Sequence, residues 1–175
     1  MPKQEFDLDP VDVITIDAIG QPGARTFYMQ GRLAEKSITV LLEKLQVQTI
    51  CVGAEQFLVE ISQKFPDLSP VDEKYDEEQL HIHPPVDPIF RAGEIGLSYD
   101  SEEDKAIIIV REIITDQTSD DDVDEVRFWV TRSQLTVMSK WGIELASRGR
   151  PICPQWGQPI EPEGHFCPKK NGHLH

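Results

Sequence analysis

The residues best suited to chemistry stand in the last part of the sequence. Cys153-Pro154-x-x-Gly157 has the outline of one zinc knuckle, and Gly164-His165-Phe166-Cys167-Pro168 that of its partner. Thiolate and imidazole are the ligands of a tetrahedral zinc site, and glycine lets the backbone turn so that its amides meet the sulfur. Cys153, His165 and Cys167 supply three ligands, and His173 or His175 could close the set. The usual first knuckle reads Cys-Pro-x-Cys-Gly, and here Trp156 stands at its second cysteine. The alternative is therefore a metal-free tail in which the indole packs where a metal would sit. A catalytic zinc with an open water position has no carboxylate placed to serve as its base.

A second constellation is cationic. Lys44 and Gln46 stand just before one helical pattern, and Arg132 and Gln134 just before another. Free N–H groups and the dipole at a helix start favour an anion. Joined by Arg25 or Arg111, the two pairs could converge on one groove and hold a phosphate or a carboxylate. The competing reading is that the glutamines cap their helices and the basic residues pair with carboxylates.

Other motifs fall short. Asp120–Asp124 contains Asp-x-Asp-x-Asp, but Glu125 replaces the glycine and Thr131 the glutamate of a calcium loop. His81 and His83 alternate beside Pro84-Pro85 without further convergent ligands, and read as surface residues. Cys51 lies on an apolar helical stripe and reads as a buried small hydrophobe. There is no Gly-x-Ser-x-Gly, no phosphate-cradling glycine loop and no His-Glu-x-x-His.

These residues must be positioned by two similar sets of elements. Val11–Ile19, Thr26–Met29 and Lys36–Glu43 carry strand patterns, the last with Ile38, Val40 and Leu42 on one face. Val47, Ile50, Ala54, Phe57, Leu58, Ile61 and Phe65 then recur at helical spacing until Pro66. Residues 67–87 are proline-rich, acidic and too poor in apolar side chains for a core element, so a long surface loop is predicted. Strands return at Gly93–Tyr99, Lys105–Ile114 and Val126–Val130, followed by a helical stripe through Leu135, Met138, Trp141, Gly142 and Leu145. Ile38–Gln46 aligns with Val126–Gln134 without a gap: apolar strand, basic residue, spacer, glutamine, helix. The expected fold is α+β, a pseudo-two-fold body at 1–149 with repeats near 11–65 and 93–147. A short zinc-ribbon-like tail follows at 150–175. Phe57 and Trp141 should both be largely buried.

The Gln21-Pro22-Gly23 turn before Arg25-Thr26-Phe27, the Leu42–Gln46 junction and the tail resemble an uncharacterised bacterial domain-of-unknown-function family. Its members end in Cys-Pro-x-Cys-Gly…Pro-x-Gly-His-x-Cys-Pro-x-x-Asn-Gly. The resemblance implies metal ligands at Cys153 and Cys167, with His165 beside them, and says nothing of an activity.

Composition narrows the partners. The 175 residues include 17 Lys+Arg and 31 Asp+Glu, for a net charge of −14. Residues 148–175 hold Arg148, Arg150, Lys169 and Lys170 against Glu161 and Glu163, so they carry +2 and the rest −16. An acidic body repels phosphate backbones, which disfavours nucleic acid. No apolar stretch approaches the ~20 residues of a membrane span. Without a signal-like start, and with three cysteines, a cytoplasmic protein without disulfides is expected. The function read from these features is a non-catalytic binding or adaptor protein with a protein partner. The alternative is an enzyme or small-ligand sensor holding an anion between the repeats.

Elemental analysis of untagged protein separates the two readings of the tail. A metal site requires near-stoichiometric zinc, released as its thiolates protonate in acid, and Trp156→Cys should then tighten it. Less than about a tenth of an equivalent, with Cys153 and Cys167 both reactive, identifies the metal-free form.

Overall fold

A computed structural model describes residues 3–21 and 23–147. The tail, with Cys153, Trp156, His165, Cys167 and His173, lies outside the described residues. Strands β1 (Glu5–Leu8), β2 (Val13–Ile19), β3 (Thr26–Leu33) and β4 (Lys36–Leu42) lead to helix α1 (Lys44–Lys64). After a long connection come β5 (Ala92–Asp100), β6 (Lys105–Glu112), β7 (Glu125–Val130) and helix α2 (Arg132–Ser147). The class is α+β, and each half runs strand–strand–strand–helix.

Local sequence accounts for these elements. Alternation puts Ile38, Val40 and Leu42 of β4 on the buried side, and Val126, Phe128 and Val130 of β7 likewise. In each half an antiparallel meander forms, β2-β3-β4 in one sheet and β5-β6-β7 in the other. Both helices begin where a strand ends, and their apolar stripes (Val47, Ile50, Cys51, Ala54; Leu135, Met138, Trp141, Leu145) are buried.

The halves exchange contacts. β1, which precedes β2, pairs in parallel with β7 of the other half, from Glu5 opposite Glu125 to Leu8 opposite Phe128. The segment preceding β5 returns the gesture: Leu41 N–H donates to Phe90 O at 3.0 Å and Ile89 N–H to Thr39 O at 2.9 Å, alongside β4. Helix α2 packs on β2 and helix α1 on β5. The indole N–H of Trp141, in a side chain only 1% exposed, donates to Ile16 O at 2.7 Å.

Two glycines permit the closest approaches. Gly31 of β3 faces the Phe128 ring, and a Cβ there would stand 2.5 Å from it. Gly142 of α2 faces Cys51 of α1, where a Cβ would stand 2.3 Å from the sulfur and 3.7 Å from Val47. At their other ends, Arg132 and Thr136 of α2 share a cavity with Leu58, Val59 and Ser62 of α1. The helices are therefore antiparallel, with the end of α2 beside the start of α1. Burial pushes the Cys51 thiol up to about 12, with Glu55 adding to the effect, so it stays protonated and unreactive.

One strand goes unread in the sequence, and two expectations need correction. β1 carries too few apolar residues to show as a strand; its pairing with β7 and the Arg127 grip on Asp7, at 2.9 and 3.0 Å, create it. The connection from 65 to 91 is no mere surface loop, because Leu80 and Phe90 are 5% and 7% exposed and belong to the core. It straps α2 and β2 together: Arg132 donates to Ser69 O, Asp72 N–H to Ser133 Oγ, and Ile82 N–H to Asp17 Oδ2. His81 rests edge-on against Trp141 and binds Asp17, and His83 exchanges backbone bonds with the Gln30 amide. Finally, Phe57 is only half-buried, at the edge of an open crevice between α1 and β5.

The helix crossing yields a stability test. Gly142→Ala overpacks against Cys51 and should cost ~1–3 kcal/mol in urea unfolding. Cys51→Ala removes the opposing sulfur, so the double variant should recover most of that loss relative to Cys51→Ala alone. Simple additivity of the two costs would show that the helices do not cross there.

Candidate functional site

The sequence places a glutamine at the third position of each helix, and the structure shows the same use of both. Gln46 Oε1 accepts from Glu43 N–H at 2.8 Å, and Gln134 Oε1 from Thr131 N–H at 2.8 Å. Each amide nitrogen then crosses to the other half: Gln46 Nε2 donates to Ala92 O and Gly93 O, and Gln134 Nε2 to Val11 O and Asp12 O. Both side chains are spent on helix starts and on the joint between halves.

The cationic candidates separate. Arg25 and Lys44 line one cavity of about 330 Å³ at the start of α1, together with Arg91, Glu43, Phe27 and Leu42. The Arg25 guanidinium lies 5.1 Å from the centre of the Phe27 ring. Arg132 lies elsewhere, 7% exposed, with Nε and an Nη on the two Asp104 oxygens at 2.7 and 2.9 Å. Arg111 of β6 contacts Asp120 at 3.2 Å, within reach of Glu94 and Glu125. The four helix-start residues do not meet in one groove. The structure instead adds Arg91, which no local pattern marks, because only the chain crossing beside β4 brings it to α1.

The repeated architecture makes a direct comparison possible. Phe27 opposes Leu42 across β3–β4 as Ala106 opposes Val130 across β6–β7, so Arg25 corresponds to Asp104 and Lys44 to Arg132. Arg91 bridges Leu41 in parallel, and Leu8 pairs with Phe128, so Arg91 corresponds to Asp9. In the second half these positions neutralise one another: Arg132 binds Asp104, and Asp9 binds Lys105 at 3.1 Å. In the first half the two aspartates are replaced by arginines. Lys44, Arg25 and Arg91 thus line one hollow together with Glu43, the one carboxylate among the described residues of its walls. Such a cluster at a helix start is suited to a ligand bearing a phosphate or carboxylate.

The acidic loop plays a structural part. Asp124 accepts from Gln4 N–H at 2.8 Å, Arg111 grips Asp120, and Ser119 donates to Asp122. Among the described residues, no group of three or more His, Cys, Asp or Glu is arranged to hold a metal. No helix among them is long and apolar enough to cross a membrane.

The Arg132–Asp104 pair predicts a pH response. The Arg132 guanidinium, helped by the Tyr99 hydroxyl at 2.7 Å, holds the Asp104 carboxyl below its ordinary range. Burial and the Asp104 carboxylate push Tyr99 up to about 12. A carboxyl lowered by folding contributes stability above its unfolded pKa of ~3.9, and that contribution fades as pH falls through the folded value. Wild type should therefore lose stability on acidification below about pH 4 more steeply than Asp104→Asn. The variant should also titrate Tyr99 at lower pH in ultraviolet absorption. Identical acid profiles would show that the pair is not formed.

No curated protein and no solved structure matches the chain. One family does, described as a protein of unknown function (DUF3090), over residues 6–167, which takes in the exchanged strands, both helices and the cavity at the start of α1. The chain belongs to that family.

Proposed function

We propose that the protein is a non-catalytic binding protein whose ligand presents a phosphate or carboxylate to Arg25, Lys44 and Arg91. The observation that carries this reading is the charge inversion between equivalent places in the two halves. A structural role for these positions needs only the Asp9–Lys105 and Asp104–Arg132 pairs of the second half. The first half gathers three cations instead, in a chain of net charge −14 where carboxylates are plentiful. Three cations gathered around one hollow attract an anion to it. The arginines can bind two oxygens each, Lys44 supplies a point charge, and Phe27 and Leu42 give the hollow an apolar wall for the remainder of a ligand. Gly23 lines it as well.

Binding of pyrophosphate, followed by calorimetry or amide chemical shifts, tests the reading. Affinity should fall with added salt, and residues 23–27, 41–44 and 91 should move together. Arg91 is exposed, so Arg91→Ala should fold normally. It removes about one charge-assisted contact, worth ~1.5 kcal/mol, so affinity should drop about tenfold. Equal affinity in the two proteins would place the anion elsewhere.

A further inference from the structure

The match between the halves extends from the charges of the hollow to the surface beside it. Arg91 corresponds to Asp9, so Phe90 corresponds to Leu8, and both of these are buried. One step further back, Ile89 takes the place of Asp7. At the other edge, Ile19 stands opposite Thr26 as Asp100 stands opposite Lys105, so Ile19 takes the place of Asp100. In the second half all four aspartates work inside the fold. Asp7 accepts from Arg127 and from the Trp129 indole, and Asp9 pairs with Lys105. Asp100 accepts from Glu102 and Glu103 N–H, and Asp104 holds Arg132. In the first half the same four positions are Ile89, Arg91, Ile19 and Arg25.

The aliphatic residues here are on the outside. Ile19, Ile89, Ile113 and Ile114 are between 37% and 53% exposed. The backbone ties each to the hollow. Ile19 is opposite Thr26, and Ile89 is two residues before Arg91, with Phe90 between them turned into the core. Ile113 N–H donates to Arg91 O at 2.8 Å, and Ile114 follows it. A small anion seated on Arg25, Lys44 and Arg91 would leave these four side chains in water. Exposed apolar side chains beside a charged pocket mark the contact surface of a larger partner. Resting on the anion reading, we infer that this surface docks a segment of another protein in which carboxylates stand between aliphatic side chains. The carboxylates enter the hollow, and the aliphatic side chains cover the isoleucines. Such a partner supplies from outside the acids that Asp9 and Asp104 supply within the second half. An anionic bilayer fits less well, because the net charge of −14 opposes approach to a broad negative surface, whereas a short segment meets only the local cations. A second copy docked through the same patch across a two-fold axis would set cations against cations.

Fluorescence anisotropy of labelled peptides on the full chain tests it. One peptide alternates leucine with glutamate; a second has its leucines replaced by serine, and a third its glutamates by glutamine. The first should bind about tenfold more tightly than either of the others, and pyrophosphate should displace it. Ile89→Ser and Ile114→Ser change exposed residues outside the hollow. Each should weaken the first peptide about fivefold and leave pyrophosphate affinity unchanged. Equal binding of the leucine and serine peptides, or undiminished peptide affinity in both variants, would overturn the docking while pyrophosphate binding keeps the anion site. Failure of the wild type to bind pyrophosphate would remove the anion reading and this one with it. Sedimentation with vesicles of phosphatidylserine and phosphatidylcholine, without peptide binding, would assign the surface to lipid and equally refute a protein partner.

Discussion

The constraint on which the rest depends is the exchange of contacts between the two halves at the helix starts. Each helix is launched from the last strand of its own half but packs on the first strand of the other. Gln46 and Gln134 sit at the crossing points, closing their own helix starts and tying down the other half's chain at 92–93 and 11–12. Neither half could bury its helix alone. The antiparallel crossing of α1 and α2 adds a second lock, close enough that only glycine at 142 leaves room for the Cys51 sulfur. One cooperative unit is the expected consequence, since each helix has its sheet partner in the other half.

That exchange also creates the candidate site. Because the segment before β5 runs beside β4, Arg91 is carried from the second half to the start of α1, next to Arg25 and Lys44. The equivalent place in the second half shows what these positions do when their work is structural: aspartates 9 and 104 neutralise Lys105 and Arg132. The difference between the halves is a matter of charge at matched backbone positions.

Asymmetry between the halves appears once more in what covers them. The second half's crevice is filled by a strap that contributes Leu80 to the core and pins His81 against Asp17 and Trp141. The first half's crevice leaves Phe57 half-buried and Leu45 exposed. Exposed apolar area of this kind is costly to leave open to water, and the burial of even one such side chain is worth ~1.5–3 kcal/mol.

Period and register were legible in the sequence because they are local. Alternation in β4 and β7, the 3.6-residue stripes of both helices, and the strand–basic–spacer–glutamine–helix junctions follow from side chains within a few positions of one another. So did the α+β class and the repeated element order. The capping role of Gln46 and Gln134 was visible as one of two readings; that their amides also bridge the halves was not. β1 escaped notice because four residues with two carboxylates become a strand only when β7 offers a free edge and Arg127 an ion pair. Leu80 and Phe90 looked isolated in a proline-rich stretch, and only the strap's path over β2 and β4 makes them core. Arg91 carries no local signal at all. Which cations meet and which are neutralised depends on pairings across nearly the whole chain, such as Asp9 with Lys105 and Asp104 with Arg132, and no local pattern encodes such distances. The sequence by itself therefore determined the elements and their order, through short-range periodicity, and the tertiary structure alone decided which charges gather in one place and which pair across the chain.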